Sequence, residues 1–273
     1  MSASSSGIER RSRHLTSAQN VSVKKLRALL EGVDQTRTEF AFEGDTLLWE
    51  SLRSNIKLTA VFLTETRLHG RNLPELNDFE TDIISLPDSL FRNLVSTEAP
   101  QGIAAIAERP HFDFNNCLMD SNPLLLVAAA IQDPGNFGTL IRSAEAFGTT
   151  GVLALPGTVN AWNQKALRAS AGSTFRLPVL EIAIAQIEAL KKRGIRVYAA
   201  VAGDATEVRR APLQDPSAIL IGNEGAGLSS ELVELADSII TVPSSPAVES
   251  LNAAVAGSIL LYEAWQMRKG VSR

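Results

Sequence analysis

With 273 residues, 45% of them hydrophobic, and a formal net charge of −4, the chain has room for two packed domains and is not globally disordered. A single cysteine, Cys117, and three scattered histidines, His14, His69 and His111, exclude an intrachain disulfide framework and every multi-cysteine metal pattern, so no metal is expected. No apolar run reaches the roughly 18 residues of a membrane-spanning helix, and the acidic balance counts against a protein that coats nucleic acid by bulk charge.

Residues 1–16 are polar and serine-rich, carry Arg10, Arg11 and Arg13, and lack a secretory apolar core, so a mobile arm on a cytoplasmic protein is expected. Residues 21–30 read as a helix with Val23, Leu26, Leu29 and Leu30 on one side and Lys24, Lys25 and Arg27 on the other. A turn-bounded alternating run predicts a strand over 37–44. A helix over 45–53 follows, then strands over 58–64 and 82–86, a helix near 87–95, and a strand leaving the proline turn at Pro100. This β–α alternation predicts a small α/β domain over 17–110. Residues 111–122 are irregular and read as a linker to a second domain, 123–273.

The second domain opens on residues 124–131, apolar throughout, as suits a strand of a parallel sheet buried on both faces. Helices are expected over 138–147, 163–171, 182–193 and 229–236, and strands over 151–155, 176–179, 196–201, 218–221 and 238–242. A final apolar helix is expected over 250–266, with Ser250 as its N-cap. The pattern predicts a parallel sheet with helices on both faces and a ligand site beyond the carboxyl ends of the strands.

Three strand-to-loop junctions in this half carry polar groups that chemistry can use. Asp133-Pro134-Gly135-Asn136-Phe137-Gly138 leads to Arg142, which shares a helix face with Gly138 four residues earlier. Gly222-Asn223-Glu224-Gly225-Ala226-Gly227 follows a strand and can bring main-chain groups close to a ligand. Val242, two prolines and then Glu249-Ser250-Leu251-Asn252 make a stiff loop running into a helix start. A nicotinamide-type dinucleotide fold is a poor alternative, because the glycine spacing is not G-x-G-x-x-G and the loop lies late in the domain.

In this order the three stretches resemble motifs 1, 2 and 3 of the SpoU (TrmH-type) RNA ribose 2′-O-methyltransferases of the SPOUT superfamily, a likeness covering about 120–268. The sequence departs from the family pattern at Ser244–Ala247 and at Ala253. The resemblance implies an S-adenosyl-L-methionine-dependent enzyme that methylates a ribose 2′-hydroxyl in structured RNA, works as a homodimer with sites shared between protomers, and forms a deep trefoil knot in the last third of the chain. It implies Arg142, Asn136, Glu224, Ser250 and Asn252 as the catalytic set, and Gly222, Val242 and Leu251 as cofactor contacts. Physically, Arg142 is better an orienter of a phosphate or of the 2′-oxygen than a base, because a guanidinium keeps its proton. Glu224 is the expected bidentate partner of Arg142, and Glu145 an alternative one. The front domain resembles the ribosomal-protein-L30-like substrate-binding domain of many SpoU enzymes, through Gln19-Asn20, Phe42-Glu43-Gly44 and Pro100-Gln101-Gly102-Ile103. That likeness makes Arg37, Lys24, Lys25 and Arg27 candidate RNA phosphate contacts, although Glu43-Gly44 and Gln101-Gly102 also suit turn geometry alone. The layout favours ribosomal over transfer RNA. A non-catalytic RNA-binding protein that kept the fold is the second reading.

Overall fold

The computed structural model describes residues 8–9, 11–32, 38–70, 76, 81–245, 247 and 249–271. The chain divides into two compact units, one of 1–110 with 162–167, the other of 111–161 with 168–273.

The first unit is built on a five-stranded sheet. Its strands are β1 (Arg13–His14), β2 (Glu39–Glu43), β3 (Leu58–Thr64), β4 (Asp82–Leu86) and β5 (Ile103–Glu108), in the order β1-β4-β3-β5-β2. β3 runs parallel to β4 and antiparallel to β5. Helix α1 (Val21–Leu30) starts where the Asn20 side chain accepts from the Ser22 N–H, 2.9 Å away. It buries Val23, Leu26 and Leu29 against Phe62, Ile84 and Ile106 of the sheet, each such side chain contributing about 1.5–3 kcal/mol. Helices α2 (Asp45–Arg53), α3 (Glu65–Leu68) and α4 (Asp88–Arg92) complete the unit. Residues 8–16 do not form a mobile arm where they are described. Ile8 is fully buried, and β1 pairs with β4 in parallel. The apolar Ile8 in an otherwise polar leader is the reason. The Gln101-Gly102 turn serves geometry: Gly102 has φ +75°, and a Cβ there would fall 2.6 Å from Thr64 Oγ1. Gln101 Oε1 accepts from the Asp45 N–H at 2.7 Å.

The second unit is a seven-stranded sheet in which every pairing is parallel. Its strands are β6 (Leu124–Ala128), β7 (Gly151–Ala154), β8 (Val179–Glu181), β9 (Arg196–Ala200), β10 (Thr206–Glu207), β11 (Ser217–Ile221) and β12 (Ser238–Thr241), ordered β10-β12-β9-β11-β6-β7-β8. Helices α5 (Pro134–Ala146), α6 (Gln164–Ser170), α7 (Ala185–Lys192), α8 (Ser230–Leu235) and α9 (Ala253–Val271) connect or follow them, although the residues of α6 up to Leu167 count with the first unit. Side chains alternate across β6: Leu124, Leu126 and Ala128 join the core with α5 and α9, while Leu125 and Val127 join the core with α7 and α8. Both faces of the sheet are therefore covered, as an apolar parallel strand requires.

Several expected boundaries shift, among them the end of the strand expected over 124–131, which closes at Ala128, and the start of the helix expected over 182–193, which opens at Ala185. The helix expected from residue 138 begins at Pro134, because Asp133 caps it by accepting from the Asn136 N–H at 2.8 Å, and a proline suits the first helical position. The short strand expected over 176–179 is formed by Val179–Glu181. The last helix begins at Ala253 rather than 250. Among the described residues, no helix is long and apolar enough to cross a membrane.

Candidate functional site

The carboxyl ends of β9, β11 and β12 open on a cavity of about 410 Å³. Gly222 and the 223–228 loop form one side, Thr241, Val242 and Ser244 another, and Ser250, Leu251, Ala253, Ala256 and Leu260 a third. All three residues expected to hold a cofactor, Gly222, Val242 and Leu251, therefore meet here, together with Ser250 and Glu224. Residues 200–203 complete the lining and were not anticipated. The available signal was that this small-residue stretch leaves the carboxyl end of β9, next to β11 in the sheet.

The loop after β11 is shaped by its own hydrogen bonds. Asn223 and Gly227 exchange main-chain N–H···O bonds of 3.0 Å each, and Asn223 Oδ1 accepts from the N–H groups of Gly225 at 2.9 Å and Ala226 at 3.0 Å. Asn223 Nδ2 donates to the Ala130 carbonyl at 2.9 Å, fixing the loop to the turn after β6. Ala130 itself sits at φ +54°, a strained conformation for a residue with a Cβ. Gly222 is required by contact: a Cβ would lie 2.3 Å from the Gly227 carbonyl carbon. Four of the loop's N–H groups already donate inside it, so the loop is a preformed wall rather than a nest of free donors.

A chain of polar side chains links the three motif regions. Asn136 Nδ2 donates to Glu224 Oε1 at 2.9 Å, and Asn252 Nδ2 donates to Asn136 Oδ1 at 3.1 Å. Asn252 Oδ1 in turn accepts from the N–H groups of Ala254 at 2.9 Å and Val255 at 3.2 Å, which caps α9. Ser250 is therefore not the cap. It is exposed and lines the cavity. Burial pushes the Glu224 carboxyl upward, but the hydrogen bonds from Asn136 and from the N–H groups of Gln132 and Asp133 outweigh it and hold the group below its ordinary 4.5.

The expected Arg142–Glu224 pair is not formed. Glu224 is occupied by motif 1 as described, and Glu145 takes Arg176 Nε at 2.6 Å and Nη2 at 2.9 Å. Arg142 is exposed on α5, lies outside the cavity lining, and makes no hydrogen bond or ion pair among the described residues. Of the candidate RNA contacts in the first unit, Lys24 is exposed and Arg27 half-buried, while Lys25 pairs with Glu39 at 2.7 Å. Arg37 lies outside the described residues. Other basic residues are neutralised locally, Lys191 by Asp237 at 3.0 Å and Arg209 by Glu263 at 3.0 Å. Among the described residues, no cluster of His, Cys, Asp and Glu could hold a metal ion.

Residues 123–262 match the model of the SpoU rRNA methylase family. The chain is 35% identical over 255 residues to the 23S rRNA (guanosine(2553)-2′-O)-methyltransferase RlmP of Bacillus subtilis, covering 92% of this chain and 98% of that protein. It is 32% identical over 202 residues to the 23S rRNA (uridine(2479)-2′-O)-methyltransferase of Streptomyces viridochromogenes, covering 71% and 70%. Among solved structures, the SpoU methyltransferase AviRb from Streptomyces viridochromogenes, in complex with the cofactor AdoMet, superposes with a TM-score of 0.81 at 26% identity, over 92% of this chain and 99% of that one. An RNA 2′-O ribose methyltransferase superposes with a TM-score of 0.79 at 27% identity, over 94% and 100%.

Proposed function

The chain belongs to the SpoU rRNA methylase family, and on that premise we propose that it transfers the methyl group of S-adenosylmethionine to a ribose 2′-hydroxyl of ribosomal RNA. The observation that carries this reading is the cavity at the carboxyl ends of β9, β11 and β12, tied to motif 1 by the Asn252–Asn136–Glu224 chain. The residues present fit the cofactor. The volume, about 410 Å³, falls within the roughly 300–1,000 Å³ of small-molecule sites. Ile221, Val242, Leu251 and Leu260 give an apolar lining for an adenine, and the Gly222 main chain admits a ligand closely.

When bound, the cofactor supplies an electrophilic methyl on a sulfonium sulfur. The chain's residues then have three tasks. The preformed loop 222–228, together with Val242, Ser250 and Leu251, would hold the adenosine and methionine parts of the cofactor so that its methyl and the ribose oxygen can meet. Asn136 and Asn252, oriented by ionised Glu224, fix the start of α9 at the cavity wall. Arg142 would orient the RNA phosphate or the 2′-oxygen and stabilise the negative charge that the oxygen acquires as its proton leaves. The hydroxyl proton leaves to that phosphate or to water, because the guanidinium retains its own proton.

A homodimer completes the site in this reading. Arg142 stands outside its own cavity, and α9 exposes Val255 and Tyr262, 48% and 42% accessible, as an apolar face for a second copy. Lys24 and Arg27 supply phosphate contacts from the first unit. The same reading places the protein in the cytoplasm with its RNA. It also gives the last third of the chain the implied trefoil knot, supported by the return of α9 from edge-proximal β12 to pack on α5 and central β11.

Subunit mixing tests the shared site. Arg142→Ala removes the orienting group, and Ala256→Trp fills the cavity. Each variant alone is expected to be inactive, and a mixture refolded or exchanged together to regain activity through protomer pairs holding one intact site. A mixture as inactive as its parts contradicts sharing. Calorimetry run in parallel expects cofactor binding by R142A and none by A256W.

A further inference from the structure

Helix α9 walls the cofactor cavity through Ala253, Ala256 and Leu260, and it is fixed at both ends. Its start is held by Asn252, as described. Its far end is held by Arg268, two turns past Leu260 and about 12 Å along the axis. The half-buried Arg268 distributes its guanidinium over four main-chain carbonyls. Nε donates to Leu213 at 2.9 Å, Nη1 to Asn122 at 2.6 Å, and Nη2 to Pro123 at 3.2 Å and Asp215 at 2.5 Å.

Those carbonyls stand just before β6 and β11. The two segments also bond to each other, Asn122 Nδ2 donating to the Gln214 carbonyl at 2.8 Å and the Ser217 N–H to the Pro123 carbonyl at 2.9 Å. At their other ends, the same two strands run into the turn containing Ala130 and into Gly222, the backbone of the candidate site. One guanidinium therefore ties the wall helix to the two central strands that present the site's loops. Only a planar fork with several fixed donors makes this arrangement, and a lysine ammonium does not reproduce it. The helix end is partly out of water, where each unpaired N–H or carbonyl carries a desolvation cost, so the four bonds act as one fixture.

We propose that Arg268 is a positioning residue for cofactor binding: it sets the placement of α9 against β6 and β11 and thereby the width of the cavity at Ala256 and Leu260. This inference rests on the cofactor reading above. The test uses the full chain as wild type, Arg268→Lys and Arg268→Ala. Each is titrated with S-adenosylmethionine by calorimetry and assayed for methyl transfer to ribosomal RNA transcripts. In R268A the cofactor Kd and KM are expected to rise about tenfold as α9 loosens against β6 and β11. The R268K values should fall in between, and kcat at saturating cofactor should stay within about twofold of wild type. A folded R268A with unchanged Kd overturns the proposal, as does a loss confined to kcat. A wild type that binds no S-adenosylmethionine overturns the cofactor reading, and this inference with it. Hydrogen exchange on the wild type keeps the proposal falsifiable if R268A does not fold. Saturating cofactor should slow exchange at 262–270 as well as at the cavity. Slowing at the cavity alone overturns the proposal.

Discussion

Glu224 is an anion whose donors all come from nearby loops and from Asn136, and its role follows from them. Because its folded pKa lies below its ordinary 4.5, the stabilisation it contributes is complete above that value and is lost as pH falls through the lower, folded value. Thermal melting of the wild type should therefore decline more steeply below about pH 4.5 than that of Glu224→Gln. Parallel melting curves of the two down to acid pH would contradict this. Activity at neutral pH should also fall in E224Q, since an amide presents an N–H where Asn136 and two main-chain donors need acceptors. Cys117 behaves in the opposite way. Burial, opposed by a backbone hydrogen bond and reinforced by Asp113, pushes its thiol up to about 11. Iodoacetamide at pH 7.5 should label it only after unfolding, and fast labelling of the folded protein would contradict that placement. The failed Arg142–Glu224 pair has a plain cause. Opposite charge and shared motif context make such a pair attractive in sequence, but Glu224 is taken by the Asn136 side chain and by the N–H groups of Gln132 and Asp133, and main-chain donors are carried by every residue and announced by no residue type.

At the scale of elements, the start of α9 separates capping from chemistry. Asn252→Asp keeps an acceptor for the N–H groups of Ala254 and Val255 but removes the donor to Asn136. It should melt near the wild-type temperature and lose most methyl transfer. Asn252→Ala loses both and should also cost about 1 kcal/mol of stability. Equal activity of N252D and wild type would remove the Asn252–Asn136 bond from the account. Ser250 and Asn252 lie two residues apart and are both good caps, so choosing between them required the register of the helix, which packing decides: Gly257 meets Leu140 so closely that a Cβ would sit 2.4 Å from Leu140 Cδ2. Gly257→Ala should cost about 1–3 kcal/mol through that overpacking, read as a lower midpoint in urea. Long buried strands such as Leu124–Ala128 were legible because unbroken apolar runs admit few other structures. The pairs Arg13–His14 and Thr206–Glu207, and the single turn Glu65–Leu68, were not, because two to four residues carry no periodicity and are held by their neighbours.

For the whole molecule, a net charge of −4 means that RNA affinity has to come from local cations. Lys24→Ala with Arg27→Ala should weaken RNA binding and lower its salt dependence by roughly one unit per lost phosphate contact. S-adenosylmethionine affinity should not change. Lys25→Ala should do less, because Glu39 already neutralises that lysine. An unchanged salt slope in the double variant would place the RNA elsewhere on the protein. The two-unit α/β organisation was readable from composition and alternation, whereas the place where 162–167 packs was not, since a short helical stretch carries no record of which core it joins.

Whether the chain methylates ribose in ribosomal RNA is decided by labelled methyl transfer from S-adenosylmethionine to 23S and other RNA lacking the modification, with nucleoside mass spectrometry on the product. Wild-type protein is expected to make a 2′-O-methylnucleoside in ribosomal RNA, and Arg142→Ala to make none. A methyl group on a base would contradict the ribose assignment. RNA binding without transfer to any pool would leave a protein that kept the fold and lost the chemistry.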